Sequence, residues 1–140
     1  MEEKYIVVDT NILFSAFLSE ESEFLKVLLR GEYKFCICES ILMEIFKHKE
    51  KIIKASELSE DEVVRLYYKL IKRLLVIKED VISRLNWTKA YEFCKDIDES
   101  DTLAVALTLQ VDGLLWTGDK RLKRGLGERG FKMFYESKSE

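Results

Sequence analysis

The chain has 140 residues, 47% of them apolar and 35% charged, with 23 basic residues against 26 acidic ones for a formal charge of −3. That length suits one domain spanning residues 1–140 with a real core, and the apolar fraction is too high for disorder. The acidic balance excludes a generically basic nucleic-acid coat, so an anionic partner would have to be held locally or through a metal.

The apolar pattern predicts alternating strands and helices. Tyr5–Val8 is a short continuous apolar run, as expected of a strand buried on both faces. A helix follows from about Asn11, with Ile12, Leu13, Ala16 and Phe17 on one stripe. Ser22 can cap a second short helix carrying Phe24, Leu25, Leu28 and Leu29, which Gly31 would end. Tyr33–Cys38 reads as the next strand, and Ser40 as the cap of a helix with the stripe Ile41, Leu42, Ile45, Phe46, Ile52 and Ile53. Ser59-Glu60-Asp61-Glu62 is a capping box opening an amphipathic helix with Val63, Leu66, Tyr67, Leu70, Ile71 and Leu74 at helical spacing. Leu75–Ile77 is a third strand-like run, and a helix over roughly 80–95 is expected to break near Asn86. A helix from about Ser100 to Val111 leads to a fourth strand, Leu114–Trp116. A short basic helix and two glycines, Gly127 and Gly130, precede a last strand, Phe131–Tyr135. This alternation predicts a three-layer α/β/α fold with a mainly parallel, five-stranded sheet.

Cys36, Cys38 and Cys94 cannot all pair, and a chain with one histidine lacks the usual zinc ligands, so buried thiols are expected. No apolar run approaches the ~18 residues of a membrane span. The start Met1–Lys4 leads straight into a strand without a basic-then-apolar leader, so a soluble cytoplasmic protein is expected. Lys (16) and Glu (18) dominate while Asn is 2 and Gln 1, which points to a thermophile source, although proline, which thermophiles tend to add to loops, is absent.

In a parallel sheet, ligands bind outside the carboxyl ends of the strands, where the connecting helices begin. Five acids fall on that edge: Asp9 ending the first strand, Glu44 one turn into the helix after the second, Asp98 and Asp101 around the start of the helix before the fourth, and Asp119 two residues beyond the fourth. Each has an ordinary reading too. Asp98 reads as an N-cap, Glu44 as a solvated helix residue and Asp119 as part of a turn. Asp9 has no packing purpose at the end of an apolar strand, and the convergence favours a shared site. Two carboxylates ~4 Å apart repel by about 4 kcal/mol at an effective dielectric of 20, so four in one pocket would take up protons or a cation. Hard oxygen ligands with no adjacent His or Cys favour Mg²⁺ or Mn²⁺. His48, four residues after Glu44 among Lys47, Lys49 and Lys51, reads as a surface or phosphate-contacting histidine rather than a ligand.

Lys120, Arg121, Lys123, Arg124, Arg129 and Lys132 cluster after Asp119, and Lys47, Lys49, Lys51 and Lys54 after Glu44. An acidic metal cup rimmed by cations suits a phosphodiester, the rim holding flanking phosphates. The Lys47–Lys54 group reads equally as a solvated face. Without the five acids the balance is 23 basic against 21 acidic, so the acidic surplus belongs to the pocket.

Four segments together resemble the PIN-domain family of Mg²⁺-dependent ribonucleases: Val7-Val8-Asp9-Thr10-Asn11-Ile12-Leu13, Ser40-Ile41-Leu42-Met43-Glu44-Ile45, Asp98-Glu99-Ser100-Asp101-Thr102-Leu103-Ala104-Val105-Ala106 and Trp116-Thr117-Gly118-Asp119. They occur in family order over nearly the whole chain. The resemblance implies five parallel strands and an acidic quartet of Asp9, Glu44, Asp101 and Asp119, with Asp98 accessory and with Asn11 and Thr117 steadying the first and fourth acids. It implies metal-assisted hydrolysis of RNA, with Asp9, Asp101 and Asp119 as main ligands and Glu44 holding a metal or orienting the attacking water. Lys120, Arg121, Lys123 and Arg124 are the expected RNA contacts. Many such proteins are toxins paired with an antitoxin, and many form homodimers. Two other readings compete. A phosphotransfer receiver domain would need an acidic pair near the first strand and a phosphoacceptor Asp ending a central one, where this chain has Asp9-Thr10-Asn11 and, after Leu75–Ile77, only Glu79-Asp80. An RNA-binding or assembly subunit with little turnover would keep the same acids.

Overall fold

The computed structural model describes residues 4–18, 22–30 and 33–136. Strand β1 (Tyr5–Val8) runs into helix α1 (Thr10–Ala16), and α2 (Glu23–Arg30) precedes strand β2 (Lys34–Cys38). Helices α3 (Glu39–Lys47), α4 (Lys49–Ala55) and α5 (Glu60–Arg73) lead to β3 (Leu75–Ile77). Helices α6 (Arg84–Cys94) and α7 (Thr102–Val111), each preceded by a single 3₁₀ turn, lead to β4 (Leu114–Trp116) and α8 (Lys120–Glu128).

The sheet has the order β3-β2-β1-β4, and every pairing in it is parallel. Successive strand residues point to opposite faces, and Ile6, Val7 and Val8 are all buried, as are Phe35 to Cys38. Both faces are therefore covered. Helix α7 packs on β1, β2 and β4 with α6 lying against it, while α1 packs on α2 and α2 on α5. This explains why β1 and β2 read as continuous apolar runs rather than alternating ones. All three cysteines are free and buried. Among the described residues no helix is long and apolar enough to cross a membrane.

The structure corrects the expected fifth strand. Residues 131–135 contribute one parallel bridge, Leu115 to Phe134, rather than a strand, so the sheet has four strands. Leu115 donates to the Met133 carbonyl (2.7 Å) and Tyr135 donates to the Leu115 carbonyl (2.9 Å). The Phe134 N–H turns back to the Lys132 carbonyl (3.0 Å), which bends the segment away from a continuing ladder. β4 itself is only three residues long.

Local boundaries differ for similar physical reasons. Ser40 does not cap its helix: β2 passes directly into α3, Cys38 occupies the cap position without a side-chain bond, and Ser40 lies in the first turn. The long helix expected over Ile41–Ile53 divides at His48 into α3 and α4. The break expected near Asn86 falls at Ser83, whose hydroxyl accepts from the Asn86 N–H (3.1 Å) and starts α6. Ser83 N–H and the Asn86 side-chain amide both donate to Gln110 Oε1, tying that start to the end of α7. The capping box at Ser59 is present with both reciprocal bonds. Gly31, the expected end of α2, lies outside the described residues.

Candidate metal centre

Because β1 and β4 are parallel neighbours, the residues that follow them emerge side by side. The Asp9 N–H donates to the Trp116 carbonyl (3.1 Å), locking the first acid to the end of β4. Asp9 is 1% exposed and caps α1, its Oδ1 accepting from the Ile12 N–H at 2.8 Å. Its other oxygen, Oδ2, is buried and has no hydrogen-bond partner among the described residues. Burial raises its pKa above the ordinary carboxylate value. The Thr117 hydroxyl and the Ile12 N–H oppose that rise, and the charge of Asp119 adds to it.

Thr117, fully buried after β4, accepts from the Asp119 N–H (3.1 Å), and Asp119 caps α8 by accepting from the Leu122 N–H (3.1 Å). Asp98 caps the 3₁₀ turn before α7, with the Ser100 N–H and hydroxyl both donating to Oδ1. Those bonds hold the Asp98 carboxylate below its usual pKa, helped by the nearby Arg121 guanidinium. Asp101 stands at the start of α7 and makes no cap bond of its own. Its burial, with the charges of Asp98, Asp9 and Asp119 around it, pushes its pKa up to about 7.

Carboxylate oxygens of Asp98, Asp101 and Asp119 lie within 4.8 Å of one another, and Asp9 couples electrostatically to Asp101 and Asp119. The three acids Asp9, Asp98 and Asp119 each begin a helical turn, where backbone N–H groups tolerate negative charge. Capping and clustering are thus both true of them. The residues fit a divalent cation: all donors are carboxylate oxygens, one of them buried and unpartnered, and burial among other acids pushes the pKa of Asp101 up to about 7. Such an arrangement can hold a proton, or exchange it for an ion.

Glu44 is not in the group. It is exposed on α3, beside a groove that it lines with Met43, Phe46, Lys47, His48 and Tyr67. His48 is half-buried with its ring 6.5 Å from Phe14. Asn11 is exposed on α1, next to Asp119 in a shared pocket.

The basic residues divide by role. Arg121, on α8, is close enough to Asp98 to stabilise its charge, and Lys120 and Arg124 are exposed on the same helix. Lys123 pairs with Glu136 (2.8 Å) and lies 6.0 Å from the Phe134 ring. Arg129 serves structure: its guanidinium donates to the carbonyls of Glu92, Phe93 and Lys95 at the end of α6. In the second basic group Lys49 pairs with Glu60 (3.3 Å), while Lys47, Lys51 and Lys54 are exposed.

Sequence reasoning missed Ser100, whose two hydrogen bonds keep Asp98 charged, and the place of Cys94, a thiol expected to be buried, beside Asp101 and Asp98, where burial pushes it up to about 11. The Asp-x-Ser spacing was a legible signal for the first. Nothing in the sequence signalled the second.

A family model described as PIN domain matches residues 7–132. Among the curated proteins none matches. Six chains of solved structures match. One is the crystal structure of VapBC2 from Rickettsia felis bound to a DNA fragment from their promoter, with a TM-score of 0.65 and 16% sequence identity, covering 86% of this chain and 92% of that one. At that identity the likeness is one of fold.

Proposed function

The chain belongs to the PIN-domain family, and on that premise we propose that it is a divalent-metal-dependent endoribonuclease, the toxin of a toxin–antitoxin pair. The observation that carries this reading is the buried, unpartnered Oδ2 of Asp9, whose carboxylate is coupled to Asp101 and Asp119, themselves clustered with Asp98. Asp9, Asp101 and Asp119 would hold Mg²⁺ or Mn²⁺, with Asp98 accessory and Glu44 holding a metal or orienting the attacking water. When bound, the ion supplies Lewis-acid polarisation of the scissile phosphate and a more acidic water. Asp101 would have to be deprotonated to hold the ion. Asn11 and Thr117 would steady the first and fourth acids, Thr117 by accepting from the Asp119 N–H, and the caps made by Asp9 and Asp119 keep both from turning into solvent. Arg121, Lys120 and Arg124 hold the flanking phosphates, joined by Lys123 when it leaves Glu136. The antitoxin partner is proposed from the fold shared with VapBC2, and a homodimer and a cytoplasmic setting belong to the same reading.

Asp9→Asn tests it. The amide still accepts from the Ile12 N–H and still caps α1, so the fold stays while the charge goes. Cleavage of single-stranded RNA in Mg²⁺ or Mn²⁺ is expected to fall about 100-fold or more, with an unchanged circular dichroism spectrum. Full activity in that variant overturns the assignment.

The exposed place of Glu44, in the groove with Met43, Lys47 and His48, favours one second reading, an RNA-binding or assembly subunit with little turnover. RNA binding that survives Asp119→Asn, with no cutting by the parent protein in Mn²⁺, would favour it.

A further inference from the structure

A pocket of about 380 Å³ opens beside the carboxylate cluster, lined by Asn11, Ile12, Ser15, Phe24, Gly118 and Asp119. Asp119 is common to the pocket and the cluster, so whatever fills the pocket is a direct neighbour of whatever the cluster holds. Helix α1 supplies one wall, Phe24 from the first turn of α2 a second, and the turn from β4 to α8 a third.

The lining chemistry narrows the occupant. Among the described residues it carries one carboxylate and no cation, which disfavours a phosphate. Phe24 is a half-buried aromatic braced against the Trp116 ring at 5.7 Å. Asn11 is exposed and offers a paired donor and acceptor on one planar amide. The Ser15 hydroxyl donates to the Asn11 carbonyl at 2.9 Å, leaving its oxygen free to accept. Gly118 leaves that wall flat, and a Cβ there would meet only Ile12 Cδ1, at 3.6 Å. An aromatic wall, an amide edge and an acceptor suit a flat, neutral group with hydrogen-bonding edges.

We propose that this pocket is a nucleobase subsite: it receives the unpaired base of the nucleotide next to the scissile phosphate, packed against Phe24 and read along its edge by Asn11 and Ser15. The site thereby prefers single-stranded RNA, since a base held in a duplex cannot enter. This rests on the nuclease reading above, and the test separates the two.

The experiment uses the full chain in Mn²⁺ with single-stranded oligoribonucleotides in which each position in turn is made abasic. For the parent protein, one abasic position flanking the cut is expected to lower kcat/KM by about tenfold or more, and the others to do little. Phe24→Leu, which keeps apolar bulk against Trp116, is expected to lose a similar factor on the intact strand and to be indifferent to that abasic position. Phe24→Tyr retains the ring and is expected to keep the preference. Equal tolerance of abasic sites at every position, or unchanged sensitivity in Phe24→Leu, overturns the proposal and leaves the pocket to another occupant, such as a side chain from a protein partner. If the parent protein cuts no RNA, the nuclease reading falls on its own. The subsite is then read by quenching of a 2-aminopurine strand in Ca²⁺: quenching lost in Phe24→Leu supports it, and no quenching by the parent overturns it.

Discussion

Asp101 shows what burial among other carboxylates does to a single residue. Its pKa rises from 3.8 to about 7, so between those values the folded protein keeps a proton that the unfolded chain has lost. Stability from that proton is complete below the unfolded value and disappears as pH climbs through the folded one. Asp9 shifts in the same direction, whereas exposed Asp98 shifts the other way. Metal-free protein is therefore expected to melt at a higher temperature at about pH 5 than at about pH 8. Mg²⁺ should narrow the gap by binding only the folded state. Asp101→Asn should raise the high-pH melting temperature in EDTA and blunt the stabilisation by Mg²⁺. A melting temperature that does not change over that range in EDTA would count against the crowded cluster. The placement of Asp9, Asp101 and Asp119 on one sheet edge was legible because each sits where a strand ends or a helix begins. The raised pKa values of Asp9 and Asp101 were not, since they depend on burial and on charges that the fold brings close, Asp9 and Asp119 being far apart in sequence. The sequence likewise suggested that Glu44 would join the others by sharing the sheet edge, but sharing an edge does not fix a distance.

At the scale of elements, close approach between backbones governs what can be changed. A Cβ on Gly113 would stand 2.4 Å from the Tyr5 carbonyl oxygen, where the chain enters β4 alongside β1. Gly113→Ala is expected to cost about 2–3 kcal/mol by overpacking, measured by urea denaturation. At Gly127, in the last turn of α8, a Cβ would meet nothing within 4 Å. Gly127→Ala should gain about 0.5 kcal/mol by the same measurement. If both glycines behaved alike, packing would not be what separates them. Helix existence was legible from periodicity, and Ser59 could be read because its box is contained in four adjacent residues. Ser40 misled because a cap needs a loop before it, and β2 leaves none. The start of α6 depends on Gln110, 27 positions after Ser83, which no local pattern reveals.

In the whole molecule, the segment beyond α8 closes what the strands leave open. Phe131 and Tyr135 are buried, Tyr135 meeting Trp116 at 5.1 Å and Phe131 meeting Phe93 at 5.5 Å, while the backbone shields the outer edge of β4. A chain shortened after Gly130 is expected to lose several kcal/mol, about 3–5 for each large buried aromatic, and to aggregate through the bared edge. Thermal melting and sedimentation check this, and a monomeric, equally stable product would contradict it. The parallel α/β class was legible from alternation alone, while the fate of residues 131–135 turned on one backbone N–H.

The strand order has a further consequence, in time. β1 stands beside β4, so Asp9 and Asp119 adjoin in space though 110 positions separate them along the chain. At cellular rates of synthesis they leave the ribosome on the order of ten seconds apart. Until Asp119 emerges after β4, the first acid lacks that neighbour, and a chain stalled before it never completes the cluster. The order of the strands thus delays completion of the cluster until the chain through Asp119 has been made.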